Sequence, residues 1–252
     1  MMKLLGLPIL SSQHGGDVDK LIFYLHVLMI ALFVGWFAYF LYAIWRFRAS
    51  RNPKADYVGV TNHASSYIEV AVAIAEGILL FALAVPLWSK AASAFPDPAQ
   101  STVLRIIAQQ FNWTARYPGP DGVFGASRLE LVSSENPMGL DKNDPAAKDD
   151  VIATGSDIAV PVGKPVIANI TSLDVIHSFK VTPLRMTQDA NPGMSIPIHF
   201  TPTRTGTNFI QCSQLCGIGH YSMQGLFKVL SPQDFEAWLK TKAGGGAAVS
   251  YE

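Results

Sequence analysis

The 252-residue sequence contains two cysteines, too few for a disulfide framework. Charged residues make up only 15%, and the formal net charge is zero. A neutral chain lacks the basic surface that neutralises phosphates, which excludes a nucleic-acid binder working by charge. Cys-x-x-Cys-His occurs nowhere, so no c-type haem is attached to the chain. There is no internal repeat. The first ten residues are apolar but carry one basic residue, Lys3, and run into Ser11, Ser12, Gln13 and His14, a poor cleavage site. Residues 1–20 therefore read as an uncleaved tail. What the sequence has in excess is apolar residues, 49% of the total with a mean hydropathy of +0.24, too much for a wholly soluble chain.

That excess lies in two runs. Residues 21–45 carry no charged side chain, and about 25 residues at 1.5 Å rise cross a hydrocarbon core of roughly 30 Å. His26, inside this run, is expected to be satisfied by a neighbour near the interface. Arg46, Arg48, Arg51 and Lys54 follow in a loop over 46–66, and the positive-inside rule puts that loop in the cytoplasm. Both termini are then outside. A second span over 68–88 holds Glu69 at its start and Glu76 deeper in. Carboxyls at such depth face protein or water rather than lipid. The expected membrane anchor is thus 21–95, and Glu76 is expected to hydrogen-bond another helix.

After a turn-rich linker at 94–98, strands are expected at 103–108, 111–117, 128–132, 157–160, 165–171, 177–182, 194–200, 206–211 and 225–230. Short strands separated by turn signals suggest a sandwich or barrel over 101–240. Ser231 as N-cap, Pro232 at the first position and Asp234 at the third start a closing helix. The Gly- and Ala-rich tail, 241–252, is expected to be disordered.

The chemistry is concentrated in one stretch: Cys212, Gln214, Cys216, His220 and Met223, in the pattern Cys-x-x-x-Cys-x-x-x-His-x-x-Met. Thiolate, imidazole and thioether form a soft ligand set that selects copper over hard cations. A mononuclear blue-copper site uses one cysteine, so this stretch has one thiolate too many for it. Two thiolates can bridge two copper ions, each completed by one histidine and one weak ligand. A disulfide or a zinc site is the competing use of such residues. The second histidine must come from elsewhere, and His177 is the obvious donor.

His177, followed 35 residues later by that motif, resembles the CuA signature of cytochrome c oxidase subunit II, and the resemblance runs through both spans and the soluble part. It implies a two-span helical hairpin followed by an all-β, cupredoxin-like Greek-key domain. It further implies two copper ions bridged by Cys212 and Cys216, with His177 and His220 each on one copper and Met223 and the main-chain carbonyl of Gln214 as weak ligands. The family usually has glutamate at position 214, whose side chain reaches a magnesium ion at the border with subunit I. A neutral amide lacks the charge a hard cation favours, which counts against the magnesium here. The implied partners are the haem–copper subunit I, subunit III, a cytochrome c or other haem donor, and membrane lipid.

By the same resemblance, Glu69 lies at the mouth of a proton path, although Val72 and Glu76 replace the tryptophan and proline usual after it. Trp113 belongs to the aromatic run that receives electrons, with Phe111 where tryptophan is more usual. Asp174 and Asp189 resemble acidic family positions near the copper and the subunit I border, and Asp174 is expected to attract a cationic donor. The Gly217-Ile218-Gly219 segment lets the loop fold back so that Cys216 and His220 converge. The function implied is an electron relay from cytochrome c to haem in an aerobic terminal oxidase of a bacterial inner membrane, with O2 reduced to water and protons translocated. A metal-free quinol-oxidase-type subunit and a membrane-anchored copper carrier are the alternatives.

Overall fold

The computed structural model describes residues 4–59, 61–133, 136 and 138–244. The chain divides into two units. One comprises Asp17–Lys90 with the first few residues, and the other comprises Gly6–Gly16 with the chain from Ala91 onward.

In the helical unit, α1 (Gly15–Arg46) begins six residues before the apolar run does. Its first turn carries Asp17 and its last Arg46, charges that complement the helix dipole. His26 Nδ1 lies 2.8 Å from the Ile22 carbonyl one turn back, the satisfying neighbour expected. The second helix runs as α2 (Ala64–Ile78), a π-helical stretch (Leu79–Ala84) and α3 (Val85–Ser93). The π stretch lies just before Pro86, which has no N–H to give the helix, and the wider turn re-partners the backbone: the Val85 N–H reaches back to the Leu80 carbonyl. Both helices are long and apolar enough to cross a bilayer.

The second unit is a sandwich of two five-stranded sheets. Its strands are β1 (Thr102–Gln109), β2 (Asn112–Tyr117), β3 (Val151–Ala153), β4 (Asp157–Pro161), β5 (Val166–Ser172), β6 (His177–Val181), β7 (Met186–Ala190), β8 (Ile196–Phe200), β9 (Gly206–Cys212) and β10 (Gln224–Leu230). One sheet has the order β3-β2-β1-β5-β8 and the other β4-β10-β9-β6-β7. Within them β1 runs parallel to β5 and β4 parallel to β10, while the remaining pairs are antiparallel.

Alternation places Leu104, Ile106 and Ala108 of β1, Trp113, Ala115 and Tyr117 of β2, and Val166, Ala168 and Ile170 of β5 inward. Phe179, Val181, Ile210, Phe227 and Val229 meet them from the facing sheet. Phe179 sits edge-on to both Trp113 and Phe227, the geometry that the ring quadrupoles favour. The Tyr117 hydroxyl donates to the Ala159 carbonyl across the interior, and burial pushes its pKa up.

Three features differ from expectation. Residues 128–132 form a 3-10 turn (Leu129–Leu131), not a strand. The Asn136 side chain bonds the Leu131 and Leu140 carbonyls, satisfying backbone groups that a strand would offer to a ladder. Strands β3 and β7 were not anticipated: Val151–Ala153 is only three residues long, and Met186–Ala190 contains Gln188 and Asp189 and lines a sheet edge. The N-terminal tail is built into the sandwich. Ser11 donates its N–H to Pro183 and accepts from Thr203, and the buried Ser12 hydroxyl donates to the Leu184 carbonyl at 2.6 Å. At the other end α4 (Pro232–Gly244) is capped as expected, the Ser231 hydroxyl accepting from the Asp234 N–H. It therefore runs into the start of the tail that was expected to be disordered, whose remainder, 245–252, lies outside the described residues.

Candidate metal centre

The ends of β6 and β9 place the two parts of the motif side by side. Phe179 of β6 pairs with Cys212 of β9, which brings His177, two residues earlier on the same face, next to the cysteine loop. His177 is fully buried, and Cys216 and Met223 are only 4% and 2% exposed.

The donor atoms close a ring. His177 Nδ1 lies 3.1 Å from Met223 Sδ and 3.9 Å from Cys212 Sγ. Cys212 Sγ lies 3.8 Å from Cys216 Sγ and 3.2 Å from the Gln214 carbonyl oxygen. Cys216 Sγ in turn lies 3.6 Å from His220 Nδ1 and 3.7 Å from Met223 Sδ. The ligand atoms of His177, Cys212 and Cys216 all lie within 4.8 Å of one another. All six residues singled out in the sequence as metal ligands thus come together. Both thiols are free, because a disulfide needs its sulfurs about 2.05 Å apart.

Burial pushes the Cys216 thiol up to about 11, and Cys212 and Asp174 push it the same way. Two adjacent thiolates in such a pocket need a positive ion to hold them, and soft donors suit a soft ion.

Two further groups bear on the donor set. Asp174 Oδ1 accepts from His177 Nε2–H at 2.8 Å, leaving the Nδ1 lone pair facing the sulfurs. Burial works against the Asp174 carboxylate, but N–H donors from Gln110, His177 and Val175 outweigh it and hold its pKa below the usual range. The spacing Asp-x-x-His was the available signal. Asp174 thus holds the His177 ring, at the acidic position near the copper that the resemblance gave it. The second group is Phe111. A Cβ on Gly219 would stand 2.4 Å from its ring, so the loop lies directly on Phe111 and position 219 has room only for glycine.

Trp113 is fully enclosed, edge-on to His177 at 6.2 Å between ring centroids, with its indole N–H unpartnered among the described residues. It packs behind the donor set and is not at the surface. Glu69 lies exposed on α2, in the helical unit.

The family described as the periplasmic domain of cytochrome c oxidase subunit II matches residues 102–229, half of the chain. The chain belongs to the cytochrome c oxidase subunit II family. It is 36% identical over 209 residues to the alternative cytochrome c oxidase subunit 2 of Bradyrhizobium diazoefficiens, covering 81% of this chain and 73% of that one. It is 30% identical over 216 residues to cytochrome c oxidase subunit 2 of Cereibacter sphaeroides, covering 81% and 69%. Among solved structures, the periplasmic domain of subunit II of cytochrome oxidase of Bradyrhizobium japonicum is 25% identical, with a TM-score of 0.44, covering 60% of this chain and 99% of that one. A cytochrome c oxidase subunit II with two apolar helices ahead of its periplasmic β-domain is a membrane-anchored protein.

Proposed function

We propose that this chain is the electron-accepting subunit of an aerobic respiratory terminal oxidase. It takes electrons from a cytochrome c and passes them to haem in subunit I, where O2 is reduced to water and protons are translocated. The observation that carries the reading is the convergence of two thiols, two imidazoles, a thioether and a carbonyl at one partly buried site. Two copper ions are proposed. His177 and Met223, whose donor atoms are neighbours, serve one, and His220 and the Gln214 carbonyl serve the other. Cys212 and Cys216 are shared between them.

The bound centre would supply one-electron redox chemistry. The chain's part is to preset the donors: His177 is fixed by Asp174 and the sheet register, and Cys216 and Met223 are shut off from water. Donors that do not rearrange keep the reorganisation accompanying electron transfer small. Gln214 counts against a magnesium ion beside the site.

The rim of the site supports an assembly. Leu215, Ile218 and Tyr221 of the ligand loop are 77%, 95% and 90% exposed, an apolar surface of the kind that partners cover. Subunit I and the cytochrome c donor are the proposed partners there, with subunit III and lipid around the anchor. Because Trp113 is enclosed, the donor's electrons are proposed to cross at the ligand loop and Phe111. Glu69 is proposed at the mouth of a proton path. We place the chain in a bacterial inner membrane with the basic loop cytoplasmic. Hydrogen bonds joining Ser11 and Ser12 to the sandwich support a hairpin with both of its ends on one side of the membrane.

The test is purification of the tagged chain from its native membrane. Co-purification with a multi-span haem protein, and O2 consumption driven by reduced cytochrome c that Cys216→Ser abolishes, are expected. Recovery of the chain with copper but without haem would instead establish a membrane-anchored copper carrier.

A further inference from the structure

We propose that Gln110 is a positioning residue that ties the two halves of the metal centre together; this rests on the two-copper reading above. Gln110 and Phe111 form the two-residue turn between β1 and β2. From that turn Gln110 reaches both halves of the donor set. Its main-chain N–H donates to Asp174 Oδ2 at 2.6 Å, and the other oxygen of that carboxylate holds His177 Nε2–H at 2.8 Å. Its side-chain amide donates to the carbonyl of Cys216, also at 2.6 Å.

The ligand loop is shaped around this contact. Gly217 has φ +135°, and a Cβ there would stand 2.7 Å from Gln110 Nε2, so the residue after Cys216 must be glycine for the amide to reach the carbonyl. Gln110 therefore sets the position of Cys216 relative to His177 through a path outside the donor set. Even sharing of an electron between two metals needs the two halves held at fixed separation and orientation. A residue bonded to both is placed to enforce that.

The variant that isolates the effect is Gln110→Met, which keeps the side chain's length and the main-chain N–H but has no amide donor. The full chain, with both spans, is loaded with copper in detergent and examined by electron paramagnetic resonance and paramagnetic proton NMR. The expected result is loss of the even hyperfine spacing seen in the wild type. Contact-shifted signals of Cys216 and His220 should move further than those of His177, and the midpoint potential should shift. Failure of a folded Gln110→Met chain to take up copper would also support the proposal. A copper-loaded variant with wild-type hyperfine spacing, Cys216 shifts and potential would overturn it. If Gln110→Met does not fold, Gln110→Glu, of the same shape and without a donor when ionised, takes its place with the same outcomes. A wild type that itself lacks a shared-electron spectrum would sink the two-copper reading, a result distinct from an unchanged variant over a shared-electron wild type.

Discussion

Asp174 and His177, three residues apart, meet through a 2.8 Å hydrogen bond that leaves the imidazole Nδ1 facing the Cys212 sulfur and the Met223 thioether. The carboxylate is itself held by N–H groups of Gln110 and Val175, so the ring has one favoured orientation and tautomer. Replacing Asp174 by Asn keeps the size but removes the charge that orients Nε2–H. Copper affinity of the full chain is expected to fall about 10–100-fold. Competition with a chelator of known affinity measures it, and an unchanged affinity would remove Asp174 from the site.

Gly219 and Phe111 form a second tight pair, since a Cβ at 219 would fall 2.4 Å from the ring. Gly219→Ala should destabilise the chain by about 1–3 kcal/mol through overpacking. Gly219→Ala combined with Phe111→Ala should cost less than the sum of the two, because the second change removes the clash. Additive losses in thermal unfolding would show that the loop does not rest on Phe111.

Asp157 joins β4 to β10 and α4 through Lys228 at 2.9 Å and Lys242 at 3.0 Å. Burial raises its pKa, but the two lysines together outweigh that and hold it below the ordinary value. A depressed carboxylate stabilises the fold above its unfolded pKa of about 3.9, and the benefit is lost as pH falls through the lower folded value. Wild type should therefore exceed Asp157→Asn in stability by a constant margin above about pH 5, and the margin should close below about pH 4. A margin independent of pH down to full unfolding would contradict this.

The buried Ser12 hydroxyl, bonded to the Leu184 carbonyl, tests whether the N-terminal segment belongs to the sandwich. Ser12→Ala strands that carbonyl and should destabilise the β unit by about 1–3 kcal/mol in denaturant unfolding. No effect would make the segment a mere tail.

Much of this was legible in the sequence because the signals were local. Two apolar runs, the basic loop between them, and a Cys-x-x-x-Cys-x-x-x-His-x-x-Met stretch each carry their meaning in their own spacing. The closing helix was readable from Ser231 and Pro232 for the same reason. What escaped was non-local. The role of Gln110 needs a turn to meet a loop more than a hundred residues away. Ser11 and Ser12 looked like a polar flank because their partners, Pro183, Leu184 and Thr203, lie far along the chain. Trp113 shows the converse: the resemblance gave it to the electron-receiving aromatic run, and strand alternation turns it inward against Phe179.

The two-copper proposal requires two metals to share the Cys212 and Cys216 sulfurs, which stand 3.8 Å apart. Electron paramagnetic resonance of the full chain loaded with copper tests it most directly. One unpaired electron shared by two equivalent coppers gives a seven-line hyperfine pattern, and that is the result expected. A four-line pattern from a single copper, or a chain that takes up no copper near stoichiometry, would contradict the account.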